Sequence, residues 1–132
     1  MHGDSGILEN FYRAYAGRIS EFGADINIFM MARPRYKSLN GNKSNGSHAR
    51  KSRYSIANIN RIAEVIQNLK NYYNSEKVIL VGYSGGATTT GIIIGKHPEL
   101  IDSAILISCP CNVYQWNKSW KQSSSPHLCV KK

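Results

Sequence analysis

Between Lys77 and Lys96 the chain reads KVILVGYSGGATTTGIIIGK, and this stretch constrains the fold more than any other. Its short continuous apolar run, at 77–82, is typical of a strand buried on both faces. The run ends in Gly82-Tyr83-Ser84-Gly85-Gly86, and residues 85–96 read as a helix. A strand that feeds a helix through so few residues needs a tight turn whose neighbours carry no bulk. Gly82 and Gly86 meet that need on either side of Ser84. In an open α/β sheet, ligands bind outside the carboxyl ends of the strands, where this serine would project.

The rest of the chain alternates in the same way. Residues 8–20 place Leu8, Phe11, Tyr12, Tyr15 and Ile19 on one helical stripe. The apolar segment 25–32, closed by Pro34, reads as a strand. From Ser55 to Asn74, apolar residues recur at steps of three and four, which predicts a helix capped by Ser55, with Asn58 in the place of a capping-box acid. Residues 103–108 (SAILIS) form a second buried-type strand. Strands separated by helices pair in parallel through right-handed crossovers. The expected sheet therefore contains 26–31, 77–82 and 103–108.

The excess positive charge sits in the segments without periodicity. The chain has 132 residues, with 17 Lys and Arg against 8 Asp and Glu, a net +9. Seven of the cations (Arg33, Arg35, Lys37, Lys43, Arg50, Lys51, Arg53) fall in 33–54, and four more lie between Lys118 and Lys132. Neither segment contains an acid. They read as a basic mobile loop (33–54) and an irregular basic tail (109–132), both solvated. Without a recognisable module, such clusters give weak non-specific attraction and no specific nucleic-acid recognition. No apolar run approaches the length of a membrane span. Three cysteines are too few for a disulfide framework and point to a reducing, cytoplasmic setting.

Gly82-Tyr83-Ser84-Gly85-Gly86 fits G-x-S-x-G in the strand–turn–helix context that gives the motif meaning. A dinucleotide fingerprint fails because its second glycine falls on Ser84, and a phosphate loop fails because Ile92, not Lys, follows Gly91. His2-Gly3-Asp4-Ser5-Gly6 precedes this motif by about eighty residues, with helix, strand and helix between. With both motifs in that order, and KHPELIDSAILIS following, the chain resembles the α/β-hydrolase superfamily. The likeness is greatest to its prolyl-oligopeptidase-like and serine-aminopeptidase-like branch. The resemblance implies one partial domain over 1–132, a three-layer α/β/α fold whose parallel sheet lacks the N-terminal strands and the last two. It implies Ser84 as nucleophile, with the backbone N–H groups of Gly85 and Asp4 forming an oxyanion hole, and an ester or peptide substrate in the intact family member. Neither a cofactor nor a metal is implied. Cys109-Pro110-Cys111 and His127-x-Cys129 have one-residue spacers that match no zinc module.

The family's triad continues with Asp or Glu and then His after later strands. Here no acid follows Asp102, and neither His97 nor His127 falls at the family's position; His48 lies in the basic loop. Triad acid and base are thus unassigned. The chain reads as an interior piece of a larger hydrolase, truncated or split, with negligible activity by itself. Its open sheet edges would take a complementing fragment or self-associate. Two other classes compete with this reading: a non-catalytic interaction module on the same scaffold, and a basic nucleic-acid-associated protein. The family's third strand would lie between 25–32 and 77–82, so in its absence 25–32 either pairs directly with 77–82 or stays apart.

Overall fold

The computed structural model describes residues 1–3, 10–23, 25–37, 40–43, 45 and 54–110. Helix α1 spans Asn10–Ser20, α2 spans Ile56–Tyr72, strand β1 spans Ile79–Tyr83, α3 spans Gly85–Lys96 and strand β2 spans Ser103–Ile107. A 3-10 turn at Pro98–Leu100 joins α3 to β2. The strands pair in parallel, Ile79 opposite Ser103 through Tyr83 opposite Ile107. This is an α/β arrangement, with α3 as the crossover.

Local sequence accounts for the helix limits. The Ser55 hydroxyl accepts the Asn58 N–H at 3.3 Å, which satisfies one of the orphan donors at the start of α2. Ile59, Ile62, Ala63 and Ile66 then form the buried face of α2, and they pack with Tyr54, Ile92, Ile93 and Leu100 into one core. Val78 and Leu80 close that core from the strand side. Strand β2 is positioned by a second device. Asp102 Oδ2 accepts the Val78 N–H at 2.7 Å, while the Asp102 N–H donates to Val78 O at 3.0 Å.

Two expectations fail. Residues 25–32 form no strand: they run without a ladder partner, with Ile26, Phe29 and Met30 exposed. The physical reason lies at the β1 edge. The Met1 amino group donates to Val81 O, and the Tyr83 N–H donates to Met1 O at 3.1 Å. Those two bonds are the pattern of a parallel bridge to Gly82. The backbone groups that 25–32 would need at the carboxyl half of β1 are already taken, so the segment stays apart.

The strands are also not buried on both faces. Leu80 faces the core, and Leu106 faces α3, where a Cβ on Gly91 would lie 3.9 Å from its Cδ1. Alternation and register place Ile79, Tyr83, Ile105 and Ile107 on the opposite face. There Ile79 is 62% exposed and Ile105 51%.

Helix α3 carries one buried polar cost. Thr90 is fully buried, and its hydroxyl has no hydrogen-bond partner among the described residues. By contrast Thr89 Oγ1 donates to Gly85 O at 3.0 Å. An unsatisfied buried hydroxyl costs about 1–3 kcal/mol, so Thr90→Val is expected to stabilise the chain by about 1 kcal/mol. A midpoint in thermal or urea unfolding that stays put or falls would contradict this.

Candidate active site around Ser84

Ser84 lies at the turn between β1 and α3, where the sequence places it. Its backbone has φ 51° and ψ −121°, a positive φ that residues with a side chain rarely adopt. Three backbone hydrogen bonds hold it there. The Ser84 N–H donates to Ile107 O at 2.9 Å, while Ser84 O accepts the N–H groups of Ala87 at 2.9 Å and Thr88 at 3.1 Å. The side chain does not cap α3. The hydroxyl is thus left out of the helix-start bonding, at the carboxyl edge of the sheet.

The glycines of the motif have separate reasons. A Cβ on Gly82 would lie 2.6 Å from Gly86 O and 2.7 Å from the Ala87 Cα, backbone atoms of α3 that have nowhere to move. A Cβ on Gly86 would collide with the carbonyl oxygens of Met1 and His2. Gly82 thus lets strand and helix cross closely, and Gly86 lets the chain's first residues lie across the helix start. Gly85 is the first residue of α3 and is buried.

The His2-Gly3 motif arrives at the same place. A Cβ on Gly3 would lie 3.2 Å from the Ser84 Cβ and 3.6 Å from its Oγ. His2 is fully buried. Its Nε2 accepts the Arg33 N–H at 3.1 Å, so the ring proton is on Nδ1, which donates to Gly3 O at 2.7 Å. Both ring nitrogens are committed, which excludes His2 as the base for Ser84 in this arrangement. Asp4, the other expected donor, lies outside the described residues.

Arg33 is the residue that sequence reasoning misplaced. It was expected on the solvated basic loop, yet it is 2% exposed. Its Nη2 donates to Gly3 O at 2.9 Å, and its guanidinium lies 4.6 Å from the Tyr36 ring centroid. Tyr36 in turn packs edge-on against His2 at 4.8 Å. Pro34 and Tyr36 are buried as well, so the loop at 33–54 begins buried and not solvated, whereas Arg35, Lys37 and Lys43 are exposed. The available signal was position: Arg33 directly follows the apolar segment 25–32, where the chain leaves the interior.

The remaining candidates do not converge on Ser84. His97 ends α3, with Nε2 3.2 Å from Asn60 Oδ1, and the 12-residue helix separates it from Ser84 by roughly 18 Å. The Asp102 carboxylate is occupied by the Val78 N–H. His48, Cys111, His127 and Cys129 lie outside the described residues. Cys109 is disulfide-bonded, although the cysteine count pointed to a reducing setting. Among the described residues no three potential metal ligands cluster, and no helix is long and apolar enough to cross a membrane.

A family model for the alpha/beta hydrolase fold matches residues 38–124. The chain belongs to that family. The match takes in β1, the Ser84 turn, α3 and β2, and leaves out His2, Gly3 and Arg33. No curated protein and no solved structure matches the chain.

Two predictions follow the close contacts. Gly82→Ala forces apart backbone atoms of β1 and α3 and is expected to destabilise by about 1–3 kcal/mol. Gly17→Ala is its control. Nothing lies within 4 Å of that site in α1, so it should stabilise by about 0.5–1 kcal/mol through helix propensity. Equal urea midpoints for the two variants would refute the contrast. The second concerns the Met1 amino group, whose pKa is lowered from 8.0 to about 6 by burial and then by the Arg33 charge. Between those values the unfolded chain holds the extra proton. Stability should therefore rise as pH increases from about 6 to 8, and denaturant midpoints falling across that window would contradict it.

Proposed function

We propose that Ser84 is the nucleophile of an acyl-transfer site of the serine-hydrolase type, acting on an ester or peptide carbonyl. The observation that carries this reading is the Ser84 backbone, φ 51° and ψ −121°, held between glycines at the strand-to-helix turn. In the reaction, Ser84 Oγ forms a bond to the carbonyl carbon, its proton passes to a base, and the carbonyl electron pair moves onto oxygen. The N–H groups of Gly85 and Asp4 are assigned to that oxyanion, with the positive end of α3 adding to the field. The paired HGDSG and GYSGG motifs favour the prolyl-oligopeptidase-like and serine-aminopeptidase-like branch.

No triad acid or base is assigned. The 132-residue chain is read as a fragment of such an enzyme, whose open sheet edges would take a complementing fragment or self-associate. A second reading, an interaction module without catalysis, draws on the exposed face of β1 and β2, since Ile79 and Ile105 are more than half exposed. The cytoplasmic expectation rested on cysteine count, and the disulfide at Cys109 weighs against it.

A fluorophosphonate probe tests the assignment. The Ser84 oxygen forms a bond to phosphorus, fluoride leaves, and the hydroxyl proton goes to solvent. Slow labelling of the full chain is expected, absent in Ser84→Ala, with turnover of p-nitrophenyl acetate no faster than the Ser84→Ala control. Labelling that persists in Ser84→Ala, or no labelling at all, would overturn the nucleophile. Rapid ester turnover lost in Ser84→Ala would overturn the inactivity of the isolated chain.

A further inference from the structure

His2 and Gly3 are buried, and Gly3 lies against Ser84. What holds them there is polar. Gly3 O accepts two hydrogen bonds, from Arg33 Nη2 at 2.9 Å and from His2 Nδ1 at 2.7 Å. The Arg33 backbone N–H holds the far side of the same imidazole at 3.1 Å. One residue therefore grips the motif twice, once through its main chain and once through its guanidinium. The second grip is charge-assisted and falls on the carbonyl of the peptide group that leaves Gly3.

We propose that Arg33 is a positioning residue for the oxyanion hole: its guanidinium, clamped to Gly3 O and stacked on Tyr36, fixes the carbonyl end of the peptide whose N–H is assigned to the oxyanion, with Gly3 held beside Ser84. The inference rests on Ser84 as nucleophile. Arg33 touches no reacting atom and acts through the backbone it holds. A shift of about 1 Å in such a group can cost about a hundredfold in rate.

The test uses the full chain and two readouts. The first is the rate of labelling by the fluorophosphonate, whose phosphoryl oxygen gains charge as Ser84 adds. The second is the Gly3 carbonyl carbon resonance. Gly3-Asp4 is the single Gly-Asp step in the sequence, so carbonyl-13C glycine with 15N aspartate isolates it. Arg33→Met, which removes the donors and the charge, should label about ten- to a hundredfold more slowly while keeping native helicity, with the Gly3 carbonyl moved upfield. Arg33→Lys offers one ammonium where the planar fork stood and should fall between, about two- to fivefold slower than wild type.

A folded Arg33→Met that labels at the wild-type rate, with labelling still lost in Ser84→Ala, would overturn the proposal and leave the nucleophile standing. Should Arg33→Met fail to fold, Arg33→Lys decides, and an undiminished rate there overturns it. Labelling that is absent in wild type, or indifferent to Ser84→Ala, would overturn the nucleophile and this inference together.

Discussion

The close crossing of β1 and α3 is the constraint on which the rest of this structure depends. With a Cβ on Gly82 the helix could not start where it does, and without the positive φ at Ser84 the chain could not turn from strand to helix in one residue. A positive φ at a residue with a side chain costs about 1–3 kcal/mol and survives only when its surroundings over-determine it. Here they do. The Ser84 carbonyl is shared by two helix N–H groups, and its own N–H reaches across to the end of β2. The serine is thus fixed by α3 and β2 together, and its hydroxyl makes no helix-cap bond.

A second, polar assembly depends on the first. Because Gly86 has no side chain, Met1 and His2 can lie over the start of α3, and Gly3 can touch Ser84. Burial of an imidazole and a guanidinium side by side is costly unless their hydrogen bonds are met. His2 meets this condition as a neutral ring, accepting at Nε2 and donating at Nδ1. Arg33 supplies a donor to each member of the pair, to the ring through its backbone and to Gly3 O through its side chain.

Against these two well-determined regions stands an open one. Parallel strands ordinarily have both faces covered, yet Ile79, Tyr83, Ile105 and Ile107 share a face left to solvent. The same economy explains 25–32. A strand needs a partner ladder, and the carboxyl half of the β1 edge is bonded to Met1. Local apolar pattern at 25–32 was sufficient to suggest a strand and insufficient to supply a neighbour.

The sequence by itself determined the elements whose causes are local. The period of 55–74, the cap at Ser55, the span of α3 and the G-x-S-x-G turn were all legible, because spacing, capping and glycine placement act within a few residues of themselves. The meeting of the two motifs was legible only through the family resemblance, since the strand expected between them, 25–32, does not form. What only the tertiary structure decided is everything that required a partner far along the chain. Whether 25–32 would be a strand depended on which residue occupied the β1 edge, and whether β2 would be covered depended on what packs over it. Arg33 is the sharpest case. A cation in a basic stretch reads as solvated, because burying a charge is unfavourable unless acceptors await it. The acceptor on Gly3 lies thirty residues away, a separation at which composition and periodicity carry no information.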